Sequence, residues 1–181
     1  MAASCKPFEN NKTVCSMNWI RKILGLEHPE RITMELIERL PAHKLCRKYI
    51  DRELDADTET EVFDSIMCAV ELHAEVINGG FNQYFYNSDG ERAERAENTF
   101  IKLGAMQIAD IVRLAINQYV ANRDKLHLIW NGTMEGFSYG YKEKLFDTFD
   151  EEYYAVMKND KQLYTLIGTY IKEHPQNFLT K

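Results

Sequence analysis

No apolar run in this 181-residue chain reaches the roughly 18 residues that a bilayer-spanning helix needs. The opening residues, Met1-Ala2-Ala3-Ser4-Cys5-Lys6-Pro7, lack a basic region followed by an apolar stretch, so no signal peptide is read and a soluble, cytoplasmic protein is expected. Paired-cysteine motifs are missing too. Cys5, Cys15, Cys46 and Cys68 form no Cys-x-x-Cys, and none stands at zinc-finger spacing to a histidine. They read as reduced thiols, with Cys46 and Cys68 in the core. There is no G-x-S-x-G, no H-E-x-x-H and no P-loop. His73-Ala74-Glu75 has the His-x-Glu of zinc deaminases without their Pro-Cys-x-x-Cys. Glu71 and Glu75, four apart on one helix face, lack further ligands at metal-binding spacing. No catalytic residue, metal ligand or cofactor is assigned, and the motifs weigh against an enzyme. Alternating strand pairs, internal repeats and low-complexity tracts are equally absent.

What the chain does contain is helical periodicity. Residues 1–13 read as a flexible N-terminus and residues 14–181 as a single helical domain. Trp19, Ile20, Ile23 and Leu24 mark a short helix over Ser16–Leu24, and Met34, Ile37 and Leu40 a second one stopped or kinked by Pro41. Leu45, Tyr49 and Ile50 suggest a third. Val62, Ile66, Ala69, Val70, His73 and Ile77 share one face of a fourth, capped by Thr58 or Thr60 and ended by Gly79-Gly80. His73 on that stripe reads as a core histidine with one hydrogen bond. Ser88-Asp89-Gly90-Glu91 has the pattern of a capping box, which predicts a helix to Leu103. Helices over 105–120, 142–157 and 160–173 follow, with a structured loop and one short helix between 123 and 140. The expected fold is all-α, a multi-helix orthogonal or bundle-like array.

Charge is unevenly distributed. Residues 1–50 hold nine basic and five acidic side chains, a net +4, and residues 51–100 hold three and thirteen, a net −10. Residues 101–181 balance at ten of each. Such an acidic stretch repels free nucleic acid and attracts a basic protein surface. Within it, Asp51, Glu53, Asp55, Asp57, Glu59, Glu61 and Asp64 place carboxylates at nearly every second residue. One reading is a solvated loop running into a helix. The other is an anionic ridge. Alternate residues of an extended chain repeat at ~6.6 Å, close to the ~6–7 Å between successive phosphates of one nucleic-acid strand. Asp147, Asp150, Glu151 and Glu152 form a second acidic cluster.

Between the two central helices lies the most unusual segment, Asn78-Gly79-Gly80-Phe81-Asn82-Gln83-Tyr84-Phe85-Tyr86-Asn87-Ser88-Asp89-Gly90. Structurally, Phe81, Tyr84 and Phe85 would pack beside a glycine corner while Asn78, Gln83 and Asn87 satisfy the backbone groups left open where helices end. Functionally, the same amides could line a pocket for a small polar ligand or a peptide backbone.

Asn78-Gly79-Gly80-Phe81, Gln83-Tyr84-Phe85, Asn87-Ser88 and Gly90 resemble the signature of a bacterial domain-of-unknown-function family whose best-described member is a DNA mimic protein. Ala93, Ala96, Leu103-Gly104-Ala105, Phe149-Asp150-Glu151-Glu152-Tyr153-Tyr154 and Tyr170-Ile171 are similar in kind to its later pattern. The resemblance spans roughly residues 45–178. It implies an all-helical, cytoplasmic, bacterial protein without known catalysis, and, for the described member, an acidic surface that occupies the DNA-binding site of a transcription factor. Three functions follow as expectations. The leading one is a non-enzymatic interaction protein whose acidic residues meet a basic partner, most specifically a DNA-binding regulator, with no direct nucleic-acid contact. The second is a ligand- or peptide-binding domain, or an enzyme, with its site at Asn78, Gln83, Tyr84 and Asn87. The third is an immunity-type protein that blocks a basic toxin. A homodimer is left open.

Overall fold

The computed structural model describes residues 31–56, 60–130 and 132–179, with only the backbone of 53–56. The flexible terminus and the first helix expected from the sequence therefore lie outside the described residues, as do Asp57, Thr58 and Glu59. Among the described residues all regular structure is helical: eight α-helices, one short 3₁₀ turn and no strand.

Thr33 caps α1 (Met34–Arg39) by accepting from the Leu36 amide at 3.2 Å. Leu40 is forced to extended geometry before Pro41, which turns the chain into α2 (Ala42–Ala56). Leu45, Cys46 and Tyr49 of α2 are buried. α2 packs along α8 (Asp160–Glu173) at backbone distance, because a Cβ on Gly168 would overlap the Ala42 carbonyl.

The spine of the fold is α3 (Glu61–Ser88), which Thr60 caps at the Phe63 amide, 3.1 Å away. Its first limb buries Phe63, Ile66, Cys68, Ala69, Leu72, His73 and Val76, whereas Val62 and Val70 are half-buried and Ile77 is 41% exposed. The buried face is thus rotated slightly from the stripe expected around Val62, Val70 and Ile77. Each large side chain sealed there contributes roughly 1.5–3 kcal/mol. After a bend at Gly79-Gly80, the second limb carries Phe81, Tyr84 and Phe85 into the same core.

α4 (Ala93–Lys102) and α5 (Met106–Ile129) pack in sequence against α3 and each other. α6 (Met134–Lys142) and α7 (Asp147–Val156) close over the bend. α5 extends to Ile129 rather than ending near 120, since Tyr119 and Leu126, seven residues apart, continue its buried face. The capping box does not form. Ser88 is the last residue of α3; its hydroxyl donates to the Tyr84 carbonyl at 2.7 Å and accepts from the Gly90 amide at 3.2 Å. Asp89, in left-handed geometry, ends that helix, and α4 starts without a side-chain cap.

Gly80 has φ 70° and ψ −178°, a region that essentially only glycine occupies. A Cβ there would also strike the Asp150 carboxylate. Gly104 has φ 72° but open space around it. G80A is expected to lose about 2 kcal/mol or more. G104A meets left-handed strain alone and is expected to lose about 1 kcal/mol. Urea denaturation of both variants measures the difference.

Candidate functional site

The central motif shares the long helix α3 with the last two carboxylates of the acidic stretch, Glu61 and Asp64. The bend leaves open the carbonyls at the end of one limb and the amides at the start of the next. Side chains from α6 and α7 fill them. Tyr154 donates its hydroxyl to the Val76 carbonyl at 2.8 Å, and Tyr141 donates to the Gly79 carbonyl at 2.6 Å. Asp150 accepts from the Phe81 amide at 2.7 Å, acting as the N-cap of the second limb from 69 residues away.

A fourth tie crosses the bend on its other side. One Glu75 oxygen accepts from both the Gln83 and Asn87 amides, each at 2.8 Å. Those two amides, which one reading assigned to a ligand pocket, are engaged within α3. Tyr84, grouped with them, is buried, and Asn78 is exposed. Asn82 is buried against Gly140 and donates to the Phe137 carbonyl at 3.1 Å. Phe81, Phe85, Tyr119, Phe146 and Tyr153 pack their rings beneath.

Burial pushes the Asp150 carboxyl up to about 6, and nearby Asp147 adds to the shift, against the hydrogen bond from Phe81. Asp150 is therefore turned inward, away from the acidic surface, while its neighbours Glu151 and Glu152 stay exposed. His73 is buried and hydrogen-bonds at both ring nitrogens, to the Tyr153 hydroxyl and to Asp160, each at 3.1 Å. Burial holds it below the ordinary histidine value despite Asp160. Asp89, Tyr119 and His127 form a second tied group, with His127 Nε2 2.6 Å from Asp89 and the Tyr119 hydroxyl donating to Asp89. Burial raises the Asp89 carboxyl, but its bonds to Tyr119 and His127 outweigh that and lower it overall. Among the described residues no three His, Cys, Asp or Glu side chains are grouped to hold a metal ion.

The acidic stretch has three parts. Asp51 is exposed on α2, and the backbone stays helical through residue 56. Alternate helical residues rise only about 3 Å and turn by about 200°, so the extended, phosphate-like spacing does not apply to Asp51, Glu53 and Asp55. Asp57 and Glu59 lie outside the described residues. Glu61 is exposed in the first turn of α3.

Asp64, half-buried, is instead neutralised where it stands. It accepts from both Arg92 and Arg95. Arg92 also reaches the Asp64 carbonyl at 3.2 Å, Cys68 Sγ at 3.1 Å and Glu71 at 3.1 Å. Burial raises the Glu71 carboxyl, as does Glu75, while Arg92 lowers it. Glu91 and Glu94 on the neighbouring elements are exposed and, like Glu61, form no ion pair among the described residues. The free carboxylates of this face thus come from the start of α3 and from α4 together.

Sequence reasoning missed Asp150, Tyr141, Tyr154 and Glu75 as holders of the bend. Gly79-Gly80 announces a break but not its partners, which lie up to 78 residues distant.

The family model described as DMP19-like protein matches residues 57–174. That span includes all of α3, the bend and each side chain that holds it. No curated protein and no solved structure matches the chain.

The Asp150 pKa sets a sign. With the folded value raised from 3.8 to about 6, the proton's stabilising contribution is complete below 3.8 and is lost as pH rises through about 6. D150N keeps an acceptor for the Phe81 amide without a buried charge, so its stability relative to wild type should improve as pH rises from about 4 to about 7. D150A removes the cap and should lose about 1 kcal/mol even at low pH. Denaturation curves at both pH values check this; parallel behaviour of wild type and D150N would contradict it.

Proposed function

The chain belongs to the DMP19-like family, and from that membership we propose that it is a non-enzymatic interaction protein of the DNA-mimic kind. Its acidic face meets the nucleic-acid-binding surface of a basic protein, and the most specific partner is a DNA-binding regulator. The observation that carries this reading is the net −10 of residues 51–100, most of which fall inside the family match.

The contact residues are Glu61, Glu91 and Glu94, with the carboxylates of Asp51, Glu53, Asp55, Asp57 and Glu59 adding to the field around them. Asp64 serves from behind. Its ion pairs with Arg92 and Arg95 tie α3 to α4, so carboxylates from two helices face the partner at a fixed spacing. The bend has a supporting role. By fixing where the second limb goes, it sets where α4 returns against α3. Exposed, like-charged carboxylates contribute through long-range attraction, which speeds encounter and fades with salt. A fixed array also loses less side-chain freedom on binding than a flexible acidic tail does.

The test is capture from a native lysate of the source organism followed by binding measurements with the recovered basic protein. Affinity should fall steeply with added salt, and duplex DNA carrying the partner's own site should compete. E61K/E91K/E94K should weaken binding on the order of tenfold or more while leaving the melting temperature near that of wild type. Binding that ignores salt, DNA and these three reversals would refute the reading.

A further inference from the structure

α7 meets α5 beside a groove of about 430 Å³. Gln107, Asp110, Ile111 and Leu114 reach it from α5 at spacings of three and four, which put them on one helix face. Glu152, Ala155 and Val156 reach it from α7 at the same spacings. Ile111, Leu114, Ala155 and Val156 give it an apolar lining, and Leu114 is left 45% exposed. The charged residues that line it are Asp110 and Glu152, both acidic.

Glu152 belongs to the second acidic cluster of the sequence. Its helix carries Asp147, Asp150, Glu151 and Glu152 and no basic residue, and Glu152 forms no ion pair among the described residues. Asp110 is only shared. Arg113, the one basic residue in the first two turns of α5, reaches both Asp110 and, at 3.8 Å, Glu97 of α4. Burial lifts the Glu97 carboxyl against the pull of Arg113, and Glu94 and Asp110 add to the rise. Carboxylates thus continue from Glu94 on the acidic face, through Glu97 and Asp110, to the groove.

We infer that this groove is a docking site for an arginine on a segment of a basic protein, its apolar stem laid on Ile111, Leu114 and Val156 and its guanidinium between Glu152 and Asp110. Arginine suits an apolar lining with an acidic rim better than lysine does. Its stem covers apolar surface, and its planar, weakly hydrated head forks to carboxylate oxygens, whereas an ammonium holds its water. The same rim repels a phosphate or an acidic peptide. The groove is roomier than one side chain needs, so an apolar neighbour in the segment shares it. The docking stands on the groove itself. That the segment belongs to the partner of the acidic face, whose contact would then run across α4 to α7, rests on the function proposed above.

The probe is the capped tripeptide acetyl-Ala-Arg-Leu-amide, titrated into isotope-labelled full-length protein and followed by amide chemical shifts. The shifts should cluster at Ile111, Leu114, Ala155 and Val156 and approach saturation at millimolar peptide. Citrulline in place of arginine, an uncharged group of the same shape, should weaken binding roughly threefold or more. E152K and L114N, both at exposed positions, should weaken it to a similar degree. Circular dichroism verifies folding, and E152Q supplies the loss of charge if E152K disturbs the helix. The inference is overturned if millimolar peptide shifts nothing at the groove, or if the shifts gather at Glu61 and Glu94 instead. It is also overturned if citrulline, E152Q and L114N all leave the affinity unchanged. These readings come from the peptide alone. Failure here leaves the partner interaction to be judged by its own experiment, and failure to recover a partner leaves the groove to be judged by this one.

Discussion

The hydrogen bond from the Phe81 amide to the Asp150 carboxylate, closed at 2.7 Å over a glycine that no other residue can replace without strain, is the constraint on which the rest of the arrangement depends. A 28-residue helix would otherwise run straight through the domain. The bend sends its second limb, with Phe81 and Phe85, back into the aromatic core, and the loop after that limb starts α4 beside the first limb. Two tyrosine hydroxyls and one glutamate finish what the aspartate begins. The joint is thus a set of backbone groups that would be unsatisfied in an apolar setting, each met by one side chain from another part of the chain.

This joint also explains why the acidic face is built from two helices. α3 supplies Glu61 and Asp64, α4 supplies Arg92's neighbours Glu94 and Arg95, and the arginines hold the two elements in register. Part of the negative charge is consumed in doing so. Exposed ion pairs of this kind add little to stability individually, but Arg92 engages two carboxylates, a carbonyl and a thiol at once, which gives it a geometric role that a lone pair lacks.

Much of the fold was legible in the sequence because it rests on local rules. Period-3.6 stripes, a threonine cap at position 58 or 60 and the Pro41 break depend on residues a few positions apart, and each element they indicate among the described residues is helical, with Thr60 as the cap. The errors came where local patterns competed. Ser88 fits a helix start by spacing, yet its hydroxyl is taken by the preceding turn, and Asp89 adopts left-handed geometry to end α3. The extension of α5 past residue 120 was hidden by polar residues on its exposed side. The candidate site was the least legible part. That Gly79-Gly80 breaks a helix can be read from composition. That Asp150, Tyr141 and Tyr154 would close the break cannot, since only the tertiary fold brings them there. The charge run over residues 51–64 was likewise visible as composition, but its spacing depended on a conformation that turned out helical through residue 56.

Counting formal charges treats every carboxylate as equal, and Asp150 shows how far that misleads. It belongs by sequence to an acidic cluster, yet it sits inward, spends its oxygen on a backbone amide and titrates near the neutral range. With Asp64 and Glu71 tied to arginine and Glu75 tied to amides, several of the chain's 28 acidic residues act as internal mortar. A field measured at the surface by ion-exchange retention or electrophoretic mobility therefore reports a different molecule from the one its composition describes. Two relatives with the same net charge need not attract the same proteins.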